Sequence, residues 1–259
     1  MAYLDYLAII LAVSIIGYII SLFIKNASIA DVFWGLYFVL ITDYLLFSAR
    51  SLNTAKLTLA FVINVWGFRL SFHILGRLIK SKKEDRRYAD FRVKWGDKFN
   101  YRSLLQNFLF QGLLAFLIAL PIIIVLKRPS NILINWAVYG GFFVWLVGFM
   151  VESLADYQMT IFLKNKKGNN EILDSGLWRY SRHPNYFGEL LSWWSIWLIC
   201  FGLNIPVLSL LSPLLLSVLI LLVSGVPLAE KRLRSNPQYE KYILTTSVII
   251  PWPPKKINN

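Results

Sequence analysis

The sequence predicts an all-α fold, an integral membrane bundle of seven transmembrane helices with interfacial helices on the cytoplasmic side. Three observations carry this expectation. Hydrophobic residues make up 57% and aromatic residues 16% of the 259-residue chain, more than soluble domains use. Seven runs each supply roughly twenty mostly apolar residues, the length that crosses a hydrocarbon core of about 30 Å. Of the 27 Lys and Arg residues, 22 fall in the connections after the first, third, fifth and seventh runs and four (Arg50, Lys56, Lys127, Arg128) on the opposite side, with Arg69 inside a span. That asymmetry obeys the positive-inside rule, and one missed helix would scramble it. It places the N-terminus outside and the C-terminus in the cytoplasm.

The first run, residues 2–24, is too long for a signal-peptide core and lacks a basic start and a cleavage site, so it reads as the first membrane helix. Runs 29–48 and 55–79 follow, then 104–126. Run 131–163 is long enough to project beyond the bilayer. Run 184–203 opens at Pro184, whose missing N–H suits a first helical turn. Gly202-Leu203-Asn204-Ile205-Pro206 leaves room only for a tight turn, so run 205–227 is the antiparallel neighbour of the one before. Segments 80–103 and 228–245 mix bases with Tyr88, Phe91, Trp95 and Phe99, and with Leu233, Tyr239 and Tyr242, as helices lying in the headgroup layer do. Ile250-Pro251-Trp252-Pro253-Pro254 cannot be helical. Without a repeat or linker, residues 1–259 read as a single domain.

The net charge of +13 lies between apolar runs rather than on a soluble face, which excludes nucleic acid and favours lipid headgroups or a phosphate-bearing ligand. Cys200 stands alone in an apolar run, so neither a disulfide framework nor a cysteine metal site is possible, and two histidines exclude a His-rich one. No dinucleotide fingerprint, P-loop, H-E-x-x-H or local Ser–His–acid pattern occurs.

Ionisable residues inside a bilayer are costly and point to function. They are Asp31 and Asp43 in the second run, Arg69 and His73 one turn apart in the third, Glu152 and Asp156 sharing a face of the fifth, and Glu189 in the sixth. Asp43 reads equally as a structural group near the outer interface, and Arg69 with His73 equally as a bridge to an acidic partner. The densest chemistry is Gly176-Leu177-Trp178-Arg179-Tyr180-Ser181-Arg182-His183-Pro184-Asn185-Tyr186-Phe187-Gly188-Glu189. A helix start at Pro184 presents free N–H groups, and Arg179, Arg182 and His183 add donors beside it, an arrangement suited to phosphate. Asn185 and Glu189 lie one turn apart and reach deeper, towards the polar head of such a ligand.

These residues, followed by Trp193-Trp194, resemble the signature of the DUF1295 group of bacterial membrane proteins in the steroid 5-alpha-reductase superfamily. Asp31-Val32-Phe33-Trp34-Gly35, Trp66-Gly67-Phe68-Arg69-Leu70, Glu84-Asp85-Arg86-Arg87-Tyr88, Ser224-Gly225-Val226-Pro227 and the closing Ile250-Pro251-Trp252-Pro253-Pro254 extend the likeness over nearly the whole chain. The resemblance implies a bacterial inner-membrane enzyme with a cytoplasm-facing NADPH pocket, reducing the conjugated C=C of an apolar, steroid-like or isoprenoid enone drawn from the lipid phase. It places Asp156 near the adenosine ribose, Asn185 and Glu189 around the nicotinamide and Arg69 in the cofactor pocket, with Lys164, Arg179, Tyr180, Arg182, His183, Glu230 and Tyr242 completing it. Trp66 stands where animal reductases carry a catalytic tyrosine, so Asp31 and Tyr37, with Glu189, are the candidate catalytic residues. Arg182-His183-Pro184 with Tyr186, Glu230, Tyr239 and Tyr242 is also similar to the isoprenylcysteine carboxyl methyltransferases, which use S-adenosylmethionine. A lipid-binding scaffold is the non-enzymatic alternative. The protein is expected to be a monomer without a metal.

Overall fold

The computed structural model describes residues 4–49, 52–81, 83–128, 135–168, 170–231 and 233–255. Among them the structure is helical, with no strand beyond an isolated parallel bridge between Ser181 and Ser247. Arg50, Lys82, Arg232 and Lys256, used in the charge count, lie outside the described residues. Six helical stretches are long and apolar enough to cross a membrane: Leu4–Phe23, Ile29–Ser48, Thr54–Ser81, Arg86–Lys127, Trp136–Asn165 and Val207–Lys231. The remaining expected span is a helix, Pro184–Gly202. It falls outside that set because Asn185, Gly188, Glu189, Ser192 and Ser195 dilute its apolar content. The described residues thus support six spans by length and composition, where the sequence suggests seven.

The chain gathers into two compact units. One comprises residues 1–134 and 203–212, the other residues 135–202 and 213–259.

The first unit contains α1 (Leu4–Phe23), α2 (Ile29–Ser48), α3 (Thr54–Ser81), α4 (Arg86–Trp95), α5 (Phe99–Ser103) and α6 (Phe110–Lys127). A π turn, Leu104–Leu109, joins α5 to α6. Helices α2 and α3 touch backbone to backbone: a Cβ on Gly67 would lie 2.9 Å from the Gly35 carbonyl oxygen. Ser71 Oγ donates across the same contact to the Val32 carbonyl (2.9 Å). Small residues let membrane helices approach this closely, where van der Waals packing replaces the hydrophobic driving force. The π turn loosens the normal ladder. There the Ser14 and Tyr37 hydroxyls lie 2.8 Å apart and 3.2 and 3.3 Å from the Phe108 carbonyl oxygen, so that one donates to the other and the other to the carbonyl. At the far end of α6, buried Lys56 donates to the carbonyls of Leu126 and Arg128, placing a cation at the negative pole of the helix.

The second unit contains α7 (Trp136–Asn165), α8 (Pro184–Gly202), α9 (Leu211–Val218, from Pro213 onward), α10 (Val226–Lys231) and α11 (Pro237–Thr245). A π turn, Leu219–Val223, separates α9 from α10. Helices α7 and α8 form its core. A Cβ on Gly188 would lie 2.5 Å from the Glu152 amide nitrogen and 2.6 Å from the Gly148 carbonyl oxygen, and one on Gly141 2.6 Å from Ile199 Cγ1. Asn135 fixes the opposite end. Its Oδ1 accepts from the Ala137 and Val138 amides at the start of α7 while its Nδ2 donates to the Gly202 carbonyl at the end of α8 (2.7 Å). Because these anchors fix the register of the two helices, the residues at the start of α8 face the last turns of α7.

Candidate functional site

In the second unit, the segment between α7 and α8 is held by its own backbone. Gly176 adopts φ +60°, and the Gln158 side chain fills the space a Cβ would need while accepting from the Leu177 amide (3.0 Å). A 3-10 turn over Gly176–Arg179 buries Trp178, whose Nε1 donates to the Ala155 carbonyl (3.1 Å). From α11, the Tyr242 hydroxyl donates to the carbonyls of Trp178 and Ser181. Burial pushes the Tyr242 phenol well above its ordinary value, so it stays a neutral donor.

The chain after α11 then returns as a strap. The Arg182 amide donates to the Ser247 carbonyl (2.8 Å), the Trp252 amide to the Tyr180 carbonyl (2.9 Å) and Ser181 Oγ to the Ile249 carbonyl (2.7 Å). Between strap and helix start lies a buried charge cluster. Arg182 Nε donates to Glu230 Oε1 (2.8 Å), and Arg182 Nη1 donates to the Thr246 and Ile243 carbonyls (2.7 and 3.3 Å). His183 Nε2 lies 3.2 Å from the same Glu230 oxygen, and its ring stacks on Tyr186. Burial lowers the His183 pKa, and the Glu230 contact only partly opposes this. A buried ion pair holds when further hydrogen bonds support it, as the Ile243 and Thr246 carbonyls do at Arg182 Nη1.

One turn into α8 the site turns towards α7. Asn185 Nδ2 donates to Asp156 Oδ1 (3.3 Å), while Asn185 Oδ1 is buried with no hydrogen-bond partner among the described residues. Glu152, one turn before Asp156, is buried beside Gly188. Glu189 is half-buried; Lys164, Arg179 and Tyr180 are exposed. The structure therefore brings Asp156 to Asn185, Arg182 and His183 to Glu230, and Tyr242 to the carbonyls of Trp178 and Ser181.

In the first unit Asp31 is bound at both oxygens: Oδ2 accepts from Arg87 Nη2 (2.6 Å) and Oδ1 from the Tyr88 hydroxyl (2.6 Å). Arg87 is itself gripped by Asp85, which caps α4. Burial alone would raise the Asp85 carboxyl, but bonds and charge from Arg87, with Arg77 nearby, hold it below the usual carboxylate range. Glu84 receives a two-pronged bond from Arg92 and the Ala27 amide. Tyr37 is buried at the π turn, and Arg69 with His73 lies half-buried on α3. The sequence singles out Asp31 but assigns Tyr88 to the headgroup layer and Arg87 only to a family motif, not to Asp31. Their signal was the Asp85-Arg86-Arg87-Tyr88 run, an N-cap acid followed by bases.

These features define an all-helical chain of membrane-spanning dimensions, whose two polar centres each lie where a helix starts. The chain belongs to the family described as a protein of unknown function, DUF1295, whose model matches residues 17–246. That is the group its motifs resemble. No curated protein and no solved structure gives a significant match.

Proposed function

We propose that this protein is an NADPH-dependent reductase of the bacterial inner membrane, C-terminus in the cytoplasm, acting on the conjugated C=C of an apolar, steroid-like or isoprenoid enone. The observation that carries the reading is the orphaned Asn185 Oδ1. A buried acceptor without a donor costs about 1–3 kcal/mol, and a carboxamide N–H of the nicotinamide head supplies the missing donor. Asp156 and Glu189 add carboxylates on the same helix pair, and exposed Lys164, Arg179 and Tyr180 offer donors for the phosphates. When bound, NADPH supplies hydride to the carbon β to the substrate carbonyl. Asn185 and Glu189 orient the head group.

Arg182 and His183 both bond Glu230, Arg182 also donates to the Thr246 carbonyl and Tyr242 to the Ser181 carbonyl, so these four act by fixing the start of α8. Charge developing on the substrate oxygen needs a donor. Of Asp31 and Tyr37, the first accepts two bonds as a carboxylate and the second has its hydroxyl engaged by Ser14 and Phe108. Both are therefore committed to bonds within their own unit, and neither is assigned the donor role.

A second reading, an S-adenosylmethionine-dependent methyltransferase acting on a prenylated thiol, is favoured by the contact of Arg182 and His183 with Glu230. Thermal stabilisation of the detergent-purified protein separates the two. The reductase reading expects NADPH to raise Tm more than S-adenosylmethionine does, and the reverse ranking overturns it.

A further inference from the structure

The strap after α11 encloses a second feature, distinct from the Asn185 region. Residues 245–255 close into a loop because the Lys255 amide donates back to the Thr245 carbonyl (2.9 Å). Inside lies a cleft of about 280 Å³ whose lining includes Arg182, Thr245, Thr246, Ser247, Trp252 and Lys255, and no acidic residue. Arg182 is 7% exposed. Its Nε and Nη1 are spent on Glu230, Ile243 and Thr246, and no described acceptor meets its Nη2. A buried arginine and an exposed lysine in one lining without a carboxylate suit one anionic oxygen cluster.

Two properties of the mouth say what carries that anion. Of the lining residues, Leu244, Val248 and Trp252 are exposed, Leu244 and Trp252 by about two thirds. Pro251, Pro253 and Pro254 hold this apolar edge extended, so it does not fold inward. An inorganic anion or the phosphate of a soluble cofactor makes no use of such a rim, whereas acyl chains do, and Trp is the side chain that settles at the level of lipid headgroups. The volume agrees: it accommodates one headgroup and falls short of what a dinucleotide fills.

We propose that this cleft is a headgroup site for an anionic phospholipid, its phosphate on Arg182 and Lys255 and its acyl chains along Val248 and Trp252. The site would peg the strap, and through Arg182 the start of α8, to the membrane surface.

The test uses the full chain in a neutral detergent, followed by thermal unfolding, with short-chain phosphatidylglycerol, phosphatidylcholine of the same chain length, inorganic phosphate and NADPH as probes. The proposal expects a saturable Tm rise with phosphatidylglycerol and none with phosphatidylcholine or phosphate. It also expects Lys255→Gln, at an exposed position, to weaken the apparent affinity for phosphatidylglycerol roughly tenfold while leaving the lipid-free Tm within a degree or so. Trp252→Ala should weaken the same affinity without creating an inorganic-phosphate response. Equal stabilisation by phosphatidylcholine would mean general solvation by lipid and would overturn the proposal. So would a full response to inorganic phosphate alone, which identifies a free-anion site, or displacement of phosphatidylglycerol by NADPH, which identifies a cofactor phosphate site. An unchanged affinity in Lys255→Gln would also refute it.

Discussion

Replacing Glu230 by alanine isolates the contribution of the buried cluster. Glu230, Arg182 and His183 have side chains only 6–7% exposed, and Glu230 Oε1 is the shared acceptor for both bases. Deletion leaves the Arg182 charge in place with carbonyl partners but no counterion. Breaking a buried pair from one side costs about 3–5 kcal/mol. At about 2–4 °C per kcal/mol for a chain near this size, Tm should fall by about 6–20 °C, measured by intrinsic fluorescence in one fixed detergent. Most of that loss is the penalty of an uncompensated charge rather than the net value of the pair. The double variant Arg182→Met with Glu230→Leu should therefore recover most of it. If Glu230→Ala melts within 2–4 °C of the parent, or the double variant is as unstable as the single one, the cluster does not hold the start of α8 as described.

Three further outcomes follow from the same geometry. Glu189→Gln should keep its melting temperature while turnover per folded molecule drops about 100-fold through lost alignment of the head group; full activity in a folded variant would remove Glu189 from the site. Gly188→Ala forces a Cβ to within 2.5 Å of the Glu152 backbone, so it should cost about 1–3 kcal/mol and also lower turnover by moving Asn185 off Asp156, both readable on one sample. Because the folded state lowers the His183 pKa, the unfolded chain takes the proton first as pH falls; this contribution is present above the unfolded pKa of about 6.5 and is lost below it. Tm measured between pH 8 and 5 should thus decline on the acid side, and the decline should be smaller in His183→Gln.

The helical class and most of the spans were legible because bilayer thickness imposes one length on every apolar run and the bases mark the connections. The start of α8 was legible from Pro184, whereas the bond from Asn185 to Asp156 on α7 was not. Helix α8 departs from the span pattern for the same reason: the residues that would carry chemistry reduce its hydropathy. The destination of Arg182 was not legible. Periodicity says that an arginine stands beside a helix start, whereas its partners Glu230 and Thr246 are separated from it by about half a hundred residues or more and meet it only through tertiary folding. Tyr88 was missed likewise, because the interfacial reading of segment 80–103 assigns its aromatics to headgroups and gives no reason for one hydroxyl to reach Asp31. The glycine contacts at Gly35–Gly67 and Gly148–Gly188 belong to the same category, since one sequence does not say which small residues face another helix.

The central claim is that this chain moves hydride from a nicotinamide to a conjugated double bond. It is tested most directly by incubating the protein in nanodiscs with a steroid-like 3-oxo-4-ene and NADPH deuterated at the transferable position of the nicotinamide, and reading the product by mass spectrometry. The account predicts a saturated product that carries one deuterium at the former β carbon, with loss of the signal in Glu189→Gln. A product without deuterium, or methyl transfer from S-adenosylmethionine with NADPH left unconsumed, would contradict it.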